Sequence, residues 1–203
     1  MASYSSNTGK GPELDPVVES VAAYSEHPNA YAETHAEKMS DRVEQFAASL
    51  ATPSLILDAG CGPGRDLARF RAHGHVARGV DLNPSFVAMA NAHAPTSQCD
   101  LRDVGIHFPA GMFDGIWASA SLVHLSQTET ADVLRQFASL LRSGGKFYAC
   151  LKATGRTGWL EEPDGRRWYT VWDPETFGEV IAQAGFDVDQ ITPGPYVEVW
   201  ATC

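Results

Sequence analysis

The chain has 203 residues, 44% hydrophobic and 20% charged, with 18 glycines and 12 prolines, a balance that permits one sizeable core and excludes disordered and fibrous classes. Its 15 Lys and Arg against 25 Asp and Glu give a formal net charge of −10, which argues against a protein devoted to gripping nucleic-acid phosphates. Cys61, Cys99, Cys150 and Cys203 lack paired metal-ligand spacing, and neither a basic-then-apolar leader nor a run of about 18 apolar residues occurs. The expectation is a cytoplasmic protein with no metal and no membrane attachment.

Residues 1–16 are small, polar and proline-bearing and read as a flexible tail, with a single domain over 17–203. Between Tyr24 and Leu50, Tyr31, Met39, Val43, Phe46, Ala47 and Leu50 recur at helical spacing, so one or two helices are expected within a helical lid over 17–52. Ser54 to Asp58 reads as a buried strand and Gly64 to His73 as a helix. Val76 to Asp81 reads as the next strand. Asn83-Pro84 then caps a helix through His93, and Thr96 to Asp100 forms a third strand.

Phe113 to Ala118 gives a fourth strand, and Thr128 to Arg142 a helix with Val133, Leu134, Phe137, Leu140 and Leu141 on one face, stopped by Ser143-Gly144-Gly145. Lys146 to Leu151 is the fifth strand. Asp173-Pro174 caps a helix to Ala184, ended by Gly185. Phe186 to Ile191 and Tyr196 to Thr202 form a closing antiparallel pair. Strand-helix alternation implies an α/β fold, a mostly parallel sheet with helices on both faces and one antiparallel member. Ligands on such sheets sit at the strands' carboxyl ends, which gathers Asp58, Asp81, Asp100 and Ala118-Ser119 at one edge.

The glycine turn has the spacing Gly60-x-Gly62-x-Gly64, unlike the Gly-x-Gly-x-x-Gly of dinucleotide folds, and Asp58 precedes it by two residues. A carboxylate there repels a pyrophosphate and attracts a ligand bearing an ammonium and a sulfonium. Leu57 to Gly64, Gly79-Val80-Asp81-Leu82-Asn83-Pro84, Asp100-Leu101, Phe113 to Ala118, Leu141 to Lys146 and Ala184-Gly185-Phe186 together resemble the class I S-adenosylmethionine-dependent methyltransferases. The resemblance covers roughly residues 20–203 and implies a Rossmann-like seven-stranded sheet with an antiparallel last strand.

It also implies roles. The turn through Gly60, Cys61, Gly62 and Gly64 passes beneath the methionine part of S-adenosylmethionine. Asp81 accepts both ribose hydroxyls, Asp100 accepts from the adenine amino group, Leu82 and Leu101 cover the ring faces, and Ala118 and Ser119 line the methionine. Tyr24 and Tyr31 are the lid aromatics. His124, just past the fourth strand, is the candidate general base, with His35 as the second histidine on the acceptor side.

The segment 153–172 reads as an aromatic flap, with Arg166, Arg167, Trp168, Tyr169 and Trp172 as acceptor-binding candidates. Its aromatics could instead shield a core edge. The expected reaction is methyl transfer to an oxygen or nitrogen of a small polar metabolite or natural product, with no nucleic-acid partner. The alternatives are a non-catalytic adenosyl-ligand-binding module and an NAD-dependent oxidoreductase. The turn spacing and Asp58 count against the latter.

Overall fold

The computed structural model describes residues 15–36, 38–163 and 165–203. Most of the expected tail therefore lies outside the described residues. Asp15 and Pro16 open the first helix instead, with the Asp15 carboxylate accepting from the Val17 N–H at 2.9 Å.

Between Tyr24 and Leu50 the expected helices are two, α2 (Pro28–His35) and α3 (Ser40–Ala48), and a further helix, α1 (Pro16–Ala23), precedes them. Pro28 restarts the helix after the non-helical His27, and Met39, at a φ of 65°, breaks it again. Strand β1 (Leu55–Ala59) then leads through the glycine turn into α4 (Arg65–Ala72), and β2 (Val76–Asp81) into α5 (Pro84–Ala90). The Asn83 side chain caps α5 as expected, accepting from the Ser85 N–H at 2.9 Å. β3 (Thr96–Gln98), a short α6 (Val104–His107) and β4 (Phe113–Ser119) follow.

Ser126 and Glu129 form a reciprocal capping box at the start of α7 (Gln127–Leu140). This helix ends earlier than its apolar pattern suggests, because Leu141 already pairs with Phe113 in β5 (Leu141–Lys152). The Gly144-Gly145 pair sits inside that strand, where the register slips between Phe113 and Gly115 and Gly144 takes a φ of 78°. It makes a bulge, not a helix stop. β6 (Gly158–Glu162) and β7 (Gly165–Tyr169) form a separate hairpin, followed by α8 (Pro174–Gln183), β8 (Asp187–Thr192) and β9 (Tyr196–Thr202).

The main sheet has seven strands in the order β3-β2-β1-β4-β5-β9-β8. β9 runs antiparallel to both β5 and β8 while the pairs from β3 to β5 are parallel. The expected α/β fold is the one observed. Alternation along the central strands sends Leu57, Ile116 and Phe147 to one core, with Val133, Phe137 and Ile181, and Ile56, Trp117 and Tyr148 to the other, with Phe46 and Phe70. Both faces of the sheet are therefore filled. The strand order reverses beside β1, and the crevice at the carboxyl ends of β1 and β4 is where the pocket lies.

Candidate functional site

The turn after β1 is drawn over the end of β2: the Gly60 and Cys61 N–H groups donate to the Val80 carbonyl at 2.8 and 3.0 Å. Asp81, at the tip of β2, accepts from the Gly62 N–H and the Asn83 N–H, each at 2.8 Å. A carboxylate oxygen can accept more than one hydrogen bond, and Asp81 lines the pocket. Burial raises its carboxyl above the usual range.

The turn glycines serve different ends. A Cβ on Gly60 would stand 2.3 Å from the Ser121 Cβ, and one on Gly64 2.8 Å from the Ala90 Cα, whereas one on Gly62 meets nothing within 4 Å. Gly60 and Gly64 are thus packed against protein as well as held at positive φ, whereas Gly62, with a φ of 55° and open space around it, owes its identity to backbone conformation and not to packing. Cys61 points away from the pocket into the core, where burial pushes its thiol up.

Asp58 is buried, and its Oδ2 has no hydrogen-bond partner among the described residues. Burial, with the charge of Asp66 adding to it, holds its carboxyl well above the usual range. Asp66 itself is satisfied by Arg65 and by the Trp117 indole N–H at 3.0 Å. Asp58 is left as the acid in need of a cationic partner.

At the other end of the pocket stand Asp100, Leu82 and Leu101. The roof is Val17 and Val21 of α1, Tyr24 at its C-terminal end, Tyr31 of α2 and Phe86 of α5. Tyr24 lies edge-on to Tyr31 at 5.1 Å, and Tyr31 stacks on His35 at 4.1 Å. Burial raises the Tyr31 phenol to about 12 and the Tyr24 phenol well above its ordinary value. Neither is a ready proton donor to solvent.

His124 closes the floor and is buried. Its Nδ1 faces the Trp168 carbonyl, which can only accept, so Nδ1 carries the proton and Nε2 accepts from the Tyr24 hydroxyl at 3.1 Å. Burial lowers its pKa to about 4. Both ring nitrogens are engaged, an arrangement that suits a residue holding Tyr24 better than the expected general base.

The hairpin departs furthest from expectation. β7 packs on α1: the Trp168 N–H donates to the Ser20 hydroxyl at 2.8 Å, Arg166 pairs with Glu19, and Arg167 is buried with its guanidinium 4.0 Å from the Tyr24 ring centre. Tyr169 stands 5.0 Å from the His124 ring. Trp172 is fully buried against Phe177, with its backbone N–H donating to the Lys152 carbonyl at 2.9 Å. Of the acceptor candidates, His35, Arg166, Arg167, Trp168, Tyr169 and Trp172 all stand outside the pocket lining. They clamp the lid or fill the core instead.

The pocket brings together Tyr24, Tyr31, Gly60, Gly62, Asp81, Leu82, Asp100, Leu101, Ser119 and His124. It leaves out Asp58, Cys61 and Gly64, and also Ala118, whose methyl is in the core. Sequence reasoning missed Val17, Val21, Asn83, Phe86, Ala120, Ser121 and Leu125 as lining residues. Val17 and Val21 carry an i, i+4 signal, and Asn83 and Phe86 flank the recognised proline. Ala120 carries none, though it holds a φ of 54°. Among the described residues no cluster of His, Cys, Asp or Glu is arranged to hold a metal, and no helix is long and apolar enough to cross a membrane.

Residues 56–145 match the family described as "Methyltransferase domain". Trans-aconitate 2-methyltransferase of Escherichia coli is 27% identical over 183 residues, 87% of this chain and 70% of that protein. The 18S rRNA (guanine-N(7))-methyltransferase of Schizosaccharomyces pombe is 31% identical over 109 residues, 51% of this chain and 40% of its own length. The Burkholderia thailandensis 1,6-didemethyltoxoflavin-N1-methyltransferase, solved with 1,6-didemethyltoxoflavin and S-adenosylhomocysteine, superposes with a TM-score of 0.73 at 23% identity, covering 96% of this chain and 92% of that one.

The fold is thus that of a Rossmann-like methyltransferase. The match over residues 56–145 and the shared fold support a class I S-adenosylmethionine-dependent methyltransferase, with S-adenosylmethionine as the cofactor that such a fold takes. The residues present fit that group: Asp58 has an unpartnered buried oxygen for an ammonium, and the turn leaves open space at Gly62.

Proposed function

We propose that this chain transfers a methyl group from S-adenosylmethionine to an oxygen or nitrogen of a small polar molecule. The observation that carries the reading is the roofed pocket, which brings Gly60, Gly62, Asp81 and Asp100 together with the Tyr24–His124 pair. When bound, the cofactor supplies a methyl group made electrophilic by a sulfonium. Asp58 holds the methionine ammonium, Gly60 and Gly62 pass beneath that arm with Ser119 beside it, and Asp81 accepts the ribose hydroxyls. Asp100 accepts from the adenine amino group, between Leu82 and Leu101.

The remaining work is orientation and exclusion of water. Tyr24, Tyr31, Phe86 and the two valines of α1 roof the pocket, and His124 holds the Tyr24 hydroxyl in one orientation. With the His124 lone pair already engaged, the acceptor must arrive with its own lone pair exposed, as a carboxylate or a neutral nitrogen does. The Escherichia coli relative is named for trans-aconitate, a tricarboxylate, which supports a small polar acceptor.

The test is thermal stabilisation by S-adenosylhomocysteine against NAD, followed by release of S-adenosylhomocysteine with a panel of carboxylates, heteroaromatic nitrogens and ribosomal RNA. Stabilisation by S-adenosylhomocysteine and turnover with a small acceptor are expected. Stabilisation by NAD alone would overturn the cofactor roles, and turnover with RNA alone would overturn the acceptor class.

A further inference from the structure

Arg102 stands at the adenine end of the pocket and binds three carboxylates at once. Its Nε lies 3.0 Å from Asp100 Oδ1 and its Nη2 2.6 Å from Asp100 Oδ2, a fork-to-fork pair. Its Nη1 donates to Asp15 at 2.8 Å and to Glu129 at 3.0 Å. The other Asp15 oxygen caps α1 at the Val17 N–H. One guanidinium therefore carries the pocket-lining Asp100 on one edge and the first turn of the covering helix on the other.

The support beneath it is fixed. The Gln136 side chain donates to the Arg102 carbonyl at 2.8 Å, and Glu129 Oε2 is held by the Ser126 N–H at 2.8 Å. Both anchors belong to α7 or its cap. Asp100 Oδ1 also accepts from the Arg102 backbone N–H at 2.9 Å, so what the guanidinium adds is its grip on Oδ2 and the tie to Asp15. Without the guanidinium, three carboxylates would face one another, which releases Asp100 Oδ2 and pushes Asp15 away. A lysine ammonium could neutralise them but could not grip Asp100 with two parallel bonds.

We infer that Arg102 is a positioning residue that couples recognition of the purine's exocyclic amino group to the seating of α1 over the cofactor. The inference rests on the assignment of Asp100 to that amino group. Coupling of this kind is reciprocal: a ligand bearing the amino group favours the seated helix, and the seated helix favours that ligand.

The test uses the full chain and two probes, S-adenosylhomocysteine and S-inosylhomocysteine, whose purine has a carbonyl where adenine has its amino group. Affinity is read by calorimetry and α1 seating by hydrogen exchange over Pro16–Ala23. The wild type should bind the adenosyl probe at least about tenfold more tightly, the scale of a lost charge-assisted hydrogen bond, and should show slowed exchange in α1. Arg102→Met should bind the adenosyl probe about tenfold more weakly, discriminate less than about threefold between probes, and leave α1 exchanging fast at saturation.

Asp15→Asn keeps the helix cap and removes the charge, so it should retain discrimination while losing protection of α1. Arg102→Lys, which keeps the charge, reports the same two quantities should the methionine variant fail to fold. Undiminished discrimination and α1 protection in the Arg102 variant that folds would overturn the inference. Equal affinity of the wild type for both probes would instead overturn the Asp100 assignment on which it rests.

Discussion

At the methionine end of the pocket, the walls come from neighbours in sequence: β1, its glycine turn and the tip of β2, held by backbone hydrogen bonds from Gly60, Cys61 and Gly62. The opposite mouth is assembled from α1, the turn at His124 and the β7 hairpin, joined by side-chain bonds across separations of 100 and 148 residues. The first end is held by backbone conformation, which no alternative rotamer can relieve. The second is held by individual side-chain bonds, whose loss can be graded and partly absorbed. Substitutions should therefore abolish function at the first and tune it at the second.

The largest effect is expected at the turn. Gly60→Val adds side-chain atoms inside the 2.3 Å approach to Ser121 at a φ of 76°, and S-adenosylhomocysteine binding should fall by at least about 100-fold by calorimetry. Gly62→Ala, with nothing within 4 Å, should show only conformational strain of about 1–2 kcal/mol in thermal unfolding. Equal losses in the two variants would mean that the turn is not braced by Ser121. Asp81→Ala should weaken binding by about tenfold or more, and unchanged affinity would remove the ribose assignment.

His124 probes the assembled end. Between the unfolded imidazole value of 6.5 and the folded value of about 4, the unfolded chain takes up a proton that the folded chain refuses. Stability from this residue is therefore complete above pH 6.5 and is lost as pH falls toward 4, by as much as about 3 kcal/mol. Asp58, whose carboxyl burial raises, acts in the opposite sense on acidification. The informative quantity is thus the difference between wild type and His124→Gln in melting temperature, which should shrink on acidification. A difference constant with pH would refute the buried neutral imidazole.

The smallest effect belongs to the hairpin's outer face. Arg166→Ala removes an exposed pair with Glu19 and a stack on Trp159, and acceptor KM should be unchanged. A KM raised tenfold would restore the flap as an acceptor wall.

These contrasts match what the sequence made legible. Asp81, Leu82, Asp100 and the glycine spacing were readable because local chain geometry alone puts them at strand ends on one edge of the sheet. Trp172 and Arg167 were misplaced because aromatic and basic residues on a connecting segment look alike whether they face a ligand or the protein. Only the tertiary pairing of β7 with α1 decides between them. The Gly144-Gly145 bulge misled for a related reason, since a glycine at positive φ ends a helix and kinks a strand equally well. Arg102 was passed over because a basic side chain beside two acids reads as solvated surface until its three partners are seen together.

The contact between position 60 and Ser121 reaches beyond this one chain. The loop after β1 and the loop after β4 are each common ground for change in sheets of this type, yet here they occupy the same space. Drift at either loop is consequently constrained by the other: a bulkier residue at 121 is tolerated only while 60 stays bare. Residues 60 and 121 should therefore vary as a linked pair among descendants of this chain, and a designer who wishes to remodel the acceptor mouth must begin by leaving that pair intact.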